Sequence, residues 1–204
     1  MRARPRRSPP SETKASGLPM ALALPPEGIA FFRHPQAKGA AGRCIGRTDL
    51  PVDPRRARRL AHRIRALARR ARLPRIVFTS PLRRCADVGR WLRSWGFEHR
   101  IDALLLEADF GNWDGRPWSA IGAEAVDAWC ADFAAHAPGG GESLGTLAQR
   151  VAAWNPDGAR LVVGHAGWIT LRRWQAEHGE HLPSATEWPA TLACATAWVE
   201  TTRA

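Results

Sequence analysis

Two histidines end two short apolar runs in this chain. Arg33 and His34 close Gly28-Ile29-Ala30-Phe31-Phe32, and His165 closes Leu161-Val162-Val163-Gly164. Short apolar runs bounded by glycine read as buried strands. In open α/β sheets, ligands bind beyond the carboxyl ends of the strands. A neutral imidazole there can act as a nucleophile near neutral pH. Arginine beside it offers a rigid fork of donors suited to phosphate oxygens. Either histidine alone reads equally well as a satisfied core residue.

Two further segments add to the pair. Ser80-Pro81-Leu82-Arg83-Arg84 follows an apolar run and reads as a helix start, with serine capping and proline in the first turn. Helix N-termini favour anions, and an arginine one turn in reaches the same anion. One of Arg83 and Arg84 is expected to be a solvated surface residue. Glu107 ends Leu104-Leu105-Leu106, where partial desolvation suits a carboxylate to acid work. The plain alternative is a loop carboxylate, and Asp109 and Asp114 compete for the role. In Gly164-His165-Ala166-Gly167, small neighbours let the backbone approach a bound group.

The elements that must position these residues alternate. Strands are expected over Gly28–Arg33, Arg75–Thr79, Ile101–Leu106, Leu161–Gly164 and Leu192–Val199. Helices are expected from Arg55 to about Arg72, Leu82 to Trp95, Pro117 to Ala137, Ser143 to Trp154, and onward from Gly167. Alternation of this kind implies a mainly parallel sheet covered by helices on both faces, a three-layer α/β/α architecture. Residues 28–204 read as one domain, with a cap-like helical insertion over about 107–142.

The 204 residues are 45% hydrophobic, enough for one sizeable core. The net charge of +11 favours anionic partners. Ten arginines fall between Arg55 and Arg75, around an apolar stripe of Ala57, Leu60, Ile64, Leu67 and Ala71. That pattern reads as a surface helix with a solvated basic face. A polyanion site is the sharper reading, but interleaved aromatics and a binding motif are lacking, so nucleic acid is not expected as a partner. Cys44, Cys85, Cys130 and Cys194 form no CxxC pair, which argues against zinc and against a disulfide framework. A reducing cytoplasm fits them. No apolar run approaches the ~20 residues of a membrane helix. Residues 1–27 read as a disordered basic extension, or as an over-long start with Met20 as the true beginning.

Arg-His, Ser-Pro-Leu-x-Arg, Glu-x-x-Phe-Gly-x-Trp-x-Gly, Gly-Gly-Glu-Ser and Gly-His-Ala-Gly occur here in that order. Together they resemble the histidine phosphatase superfamily, which has the phosphoglycerate mutase-like fold, over about Ile29 to Val199. The resemblance implies a hydrolase of phosphomonoesters that works through a phosphohistidine, without metal or cofactor, on a small phosphorylated metabolite. It makes His34 the nucleophile, Arg33 and Arg84 phosphate clamps, His165 the second phosphate-pocket histidine and Glu107 the general acid. His165 is then expected to be protonated while His34 is neutral. Pro35 stands where relatives most often have glycine, so one backbone donor is lost beside the phosphate.

Arg-His-Pro, Cys44-Ile45-Gly46-Arg47-Thr48-Asp49-Leu50-Pro51 and Trp113-Asp114-Gly115-Arg116-Pro117-Trp118 resemble the alpha-ribazole phosphatase branch. That likeness implies alpha-ribazole 5′-phosphate as substrate, late in cobalamin synthesis, with Arg47 in the substrate pocket and Trp113 or Trp118 able to stack on its flat ring. The alternatives are a histidine phosphatase of broad or other small-phosphomonoester specificity, a mutase, and a non-catalytic phosphate-binding module of the same fold.

Overall fold

The structure is a computed structural model that describes residues 24–201. The extension expected over 1–27 lies almost wholly outside them. The elements run β1 (Ile29–Arg33), α1 (Pro54–Arg70), β2 (Ile76–Thr79), α2 (Arg83–Ser94), β3 (Glu98–Ile101), α3 (Ala123–Ala131), α4 (Leu144–Ala153), β4 (Leu161–Gly164), α5 (Ala166–His178) and β5 (Ala197–Glu200). One sheet has the order β3-β2-β4-β1-β5, with only β5 antiparallel. The fold is the expected α/β/α sandwich.

Side-chain alternation builds the two cores. Ala30, Phe32, Val77 and Val163 face α1 and α2, meeting Leu60, Ile64, Val88 and Leu92. Phe31, Phe78 and Val162 face the other way, toward Val151, Trp168 and Leu171 of α4 and α5. Each such leucine or isoleucine stabilises the fold by roughly 1.5–3 kcal/mol. α1 starts where Asp53 accepts the N–H groups of Arg55 and Arg56 and Pro54 takes the first turn. α4 starts on Ser143, whose hydroxyl accepts Thr146 N–H.

Four expectations need correction. The strand expected over Ile101–Leu106 ends at Ile101, and the third strand is the more polar Glu98-His99-Arg100-Ile101. Asp102 caps a 3₁₀ turn over Ala103–Leu105. The carbonyls a ladder would use go to side chains: Leu104 O accepts from Trp168 Nε1 and Arg150, and Leu106 O also accepts from Arg150. The last strand covers only Ala197–Glu200, because Ala195 is left-handed (φ 57°) and Thr196 N–H turns back to Ala193 O. The helix expected over Pro117–Ala137 is a 3₁₀ turn at Trp118–Ala120 and then α3, separated by Gly122 at φ 90°. Ser80 does not cap α2; Leu82 precedes it with no side-chain cap, and the Ser80 hydroxyl accepts Leu82 N–H instead.

Candidate active site

The register of the sheet brings the two histidines together. Arg33 pairs with Gly164 across β1 and β4, so His34 and His165 each lie one residue beyond that pair. Their rings meet edge to face with centroids 5.2 Å apart. Both are buried. The His34 Nδ1–H donates to Pro35 O at 2.7 Å. This fixes the tautomer and leaves Nε2 with a free lone pair. Pro35 thus supplies an orienting acceptor. Burial, then the Arg84 charge and to a smaller extent Arg33, push the His34 pKa down to about 3. The imidazole is neutral at physiological pH.

His165 does not match the protonated residue expected from the sequence. Its Nδ1 accepts from Arg84 Nε at 3.1 Å. Burial, then Arg84 and His34, drive its pKa well below the ordinary value. The ring is neutral with its proton on Nε2, which lies 3.5 Å from Cys85 Sγ, and His165, expected in the phosphate pocket, stands behind Arg84 and does not line the cavity. Both histidines therefore bind fewer protons in the folded chain than in the unfolded one, where each titrates near ~6.5. Their stabilising contribution is fully present above that pH and is lost as pH falls toward the folded values. Stability is therefore expected to fall as pH drops below ~6.5, where the unfolded imidazoles take up protons and the buried pair does not. Urea midpoints measured at pH 7 and pH 5 check it; an unchanged midpoint would contradict the burial argument.

Arg84 is 1% exposed, and each of its three nitrogens donates one hydrogen bond within the fold, which leaves two N–H groups over. Beyond His165 it donates to Gly46 O and, at 2.8 Å, to Thr48 O. The Gly46–Thr48 loop is in turn held by Asp114, whose carboxylate accepts the N–H groups of Gly46, Arg47 and Thr48 and the Thr48 hydroxyl. Asp49 accepts Arg83 N–H at the start of α2. The two branch-like segments are thus partners: one cradles Arg84, and the other pins the cradle. In the sequence Asp114 reads as a rival acid and as part of the branch-like Trp113–Trp118 segment, and nothing in its spacing signals this long-range role. Arg83 is exposed, as the motif spacing requires of its variable position.

Glu107 is 7% exposed. Its carboxylate accepts Gly167 N–H at 3.0 Å and Trp168 N–H at 3.1 Å from the first turn of α5, and Ala108 N–H at 3.1 Å. Its own carbonyl accepts from Arg150, which also forks onto Glu142. Glu142 lies in the Gly-Gly-Glu-Ser motif but carries no role in the sequence reading, and no local pattern marks Arg150. Gly167 is required here, because a Cβ would stand 2.7 Å from Glu107 Oε1. Gly167→Ala is expected to displace that carboxylate and lower kcat about 10²-fold while the protein stays folded. Steady-state kinetics beside a thermal melt check this.

Arg33, His34, Arg84 and Glu107 share a cavity of about 580 Å³ with Phe110, Trp118, Trp129, Phe133 and Trp188. Arg33 Nη1 donates to Leu192 O, while its buried Nε has no partner among the described residues. Asp109 and Asp114 are absent from the lining. So is Arg47, whose guanidinium pairs with Asp109 at 3.4 Å and Glu142 at 3.9 Å; Arg43 and Ile45 of the same loop line the cavity instead. Trp113 is buried against Cys44 and Ile121, so of the two tryptophans only Trp118, 40% exposed, offers a face to a ligand.

The model of the histidine phosphatase superfamily (branch 1) matches residues 29–203. The chain belongs to this superfamily. Solved structures agree. A mycobacterial glucosyl-3-phosphoglycerate phosphatase is 26% identical, with a TM-score of 0.65 over 84% of this chain and 88% of its own. The alpha-ribazole phosphatase from Shigella flexneri is 22% identical, with a TM-score of 0.67 over 84% and 89%, a likeness of fold. No curated protein matches the chain. Among the described residues no helix is long and apolar enough to cross a membrane.

Proposed function

We propose that this histidine phosphatase hydrolyses phosphomonoesters through a phosphohistidine on His34. The observation that carries the reading is the His34 Nδ1–H bond to Pro35 O, which turns a neutral Nε2 lone pair toward use as a nucleophile beside Arg33 and Arg84. Nε2 attacks phosphorus in line, the ester P–O bond breaks, and Glu107 gives the leaving oxygen its proton. Water then attacks the phosphohistidine, Glu107 takes a proton back, and inorganic phosphate leaves. The flying phosphoryl group spreads negative charge over its oxygens, so positioned cations are the main catalytic need. Arg33 and Arg84 line the cavity and supply donors for those oxygens, with His165 behind Arg84 holding its guanidinium in place.

For the substrate, the reading favoured is alpha-ribazole 5′-phosphate. The segments around Cys44 and Trp113 support it, and so does the cavity wall. Trp129 and Phe133 stand 5.2 Å apart and Phe133 and Trp188 5.6 Å apart, an aromatic wall that suits a leaving group carrying a flat apolar ring better than one built of sugar alone. Residues 107–142 supply much of that wall and act as the cap. The test is hydrolysis, with EDTA present, of p-nitrophenyl phosphate, alpha-ribazole phosphate and glucosyl-3-phosphoglycerate. Turnover of all three with kcat/KM highest on alpha-ribazole phosphate supports the assignment. A preference for the glucosyl compound would move it to a sugar-phosphate phosphatase, and no turnover at all would favour a phosphate-binding module.

A further inference from the structure

A second cavity, of about 550 Å³, lies at the opposite end of the sheet, where α1 ends and β2 and β3 begin. Arg65, Arg69, Arg72 and Arg75 line it over a floor that includes Trp95 and Phe97. No carboxylate lines it, and among the described residues none of the four guanidiniums has an ion pair. The nearest acid in sequence, Glu98, is paired with Arg100. Four like charges facing one concavity repel each other unless an anion sits among them.

The backbone adds an independent observation. α1 closes in a Schellman turn: Leu73 N–H returns to Ala68 O at 2.9 Å and Arg72 N–H to Arg69 O at 3.4 Å. Arg72 occupies the left-handed position of that turn, at φ 52°. Glycine adopts this conformation freely and arginine does not. The turn thus keeps Arg72 on the wall of the cavity at a backbone cost that glycine would avoid. Offsetting the negative end of the α1 dipole would account for Arg69 and Arg70 in its last turn. It does not account for Arg72 and Arg75, which lie beyond the helix and still face the cavity.

We propose that this cavity binds a compact oligophosphate anion at a site separate from the catalytic pocket. Guanidinium forks match phosphate oxygens in pairs. A strand of nucleic acid would call for free aromatic faces between the charges. Trp95 is already engaged by His62, at 4.3 Å between centroids, and by Arg65, 5.3 Å from its ring. The recognised group is therefore the anion itself.

The test is calorimetric titration with sodium tripolyphosphate at low salt. The Arg33→Ala chain, whose catalytic pocket has lost a guanidinium, is compared with Arg33→Ala carrying Arg72→Gly or Arg69→Ala. Glycine fits the turn, so Arg72→Gly keeps the fold. Arg33→Ala is expected to bind, with each added substitution weakening binding about tenfold. Binding lost on Arg33→Ala alone would place the anion in the catalytic pocket and overturn the proposal, as would affinity indifferent to both added changes. A short DNA duplex that outcompetes tripolyphosphate, with a steep salt slope, would overturn it in favour of nucleic acid. None of these readouts depends on turnover, so the phosphatase reading stands or falls separately.

Discussion

Replacing His34 by alanine is expected to lower kcat by about 10⁴-fold or more on every substrate the enzyme accepts. The reason is geometric as well as chemical. His34 is held by its Nδ1–H bond to Pro35 O, and its Nε2 shares a cavity with two guanidiniums. The other histidine is no substitute: His165 does not line the cavity, and its Nδ1 is committed to Arg84 Nε. The fold should survive, since the change removes a buried ring but no ladder bond. Rapid quench with a ³²P-labelled ester supplies the second readout. The wild type should trap protein-bound phosphate that is stable in alkali and labile in acid, as a phosphoramidate is, and His34→Ala should trap none. A variant that kept a substantial share of the activity would remove His34 from the mechanism.

The depressed pKa of His34 carries a further consequence for this experiment. Because the ring is neutral down to about pH 3, its protonation does not set the acid limb of activity in the free enzyme. An acid limb near neutrality would have to come from the substrate phosphate or from another group.

The parts of this site that the sequence made legible are those coded locally. Glycine-bounded apolar runs mark β1 and β4, and the two histidines follow at their ends. The motif spacing separates Arg84, buried, from Arg83, exposed. What was not legible depends on partners distant in the chain. Leu104-Leu105-Leu106 has the composition of a strand, but Arg150 and Trp168 claim its carbonyls from 44 to 64 residues away. Glu98–Ile101 has too little apolar alternation to read as a strand, because it lies at the sheet edge and pairs only with β2. Arg47 sits in the right loop, yet a turn of the backbone held by Asp114 directs it to Asp109 and Glu142 and leaves Arg43 facing the cavity. Trp113 and Trp118 look equivalent in sequence; only packing under Ile121 distinguishes them.

Glu107→Gln is the substitution that separates acid catalysis from structural support. Glutamine keeps one acceptor oxygen, which can serve the Trp168 and Ala108 N–H groups, and gives up only the bond from Gly167 N–H to the other oxygen. It cannot cycle a proton. On an alkyl phosphate, whose alkoxide leaves poorly without protonation, kcat should fall by about 10²–10⁴-fold. On p-nitrophenyl phosphate the leaving phenolate needs little help, so formation of the phosphoenzyme should be nearly normal in a pre-steady-state burst. The second step should then limit turnover, because water attacking the phosphohistidine has lost its base. The expected pattern is thus a preserved burst with a slow steady state on the activated ester, and no burst on the alkyl ester. A uniform loss on both would mean that Glu107 acts by holding α5 and the pocket wall, and the proton would have to come from elsewhere. An unchanged rate on both would leave no catalytic part for it. Arg150 gives an internal control: Arg150→Lys loosens Glu107 through its carbonyl and through Glu142 without touching the proton. It should lower both steps together, by less than Glu107→Gln lowers the alkyl reaction.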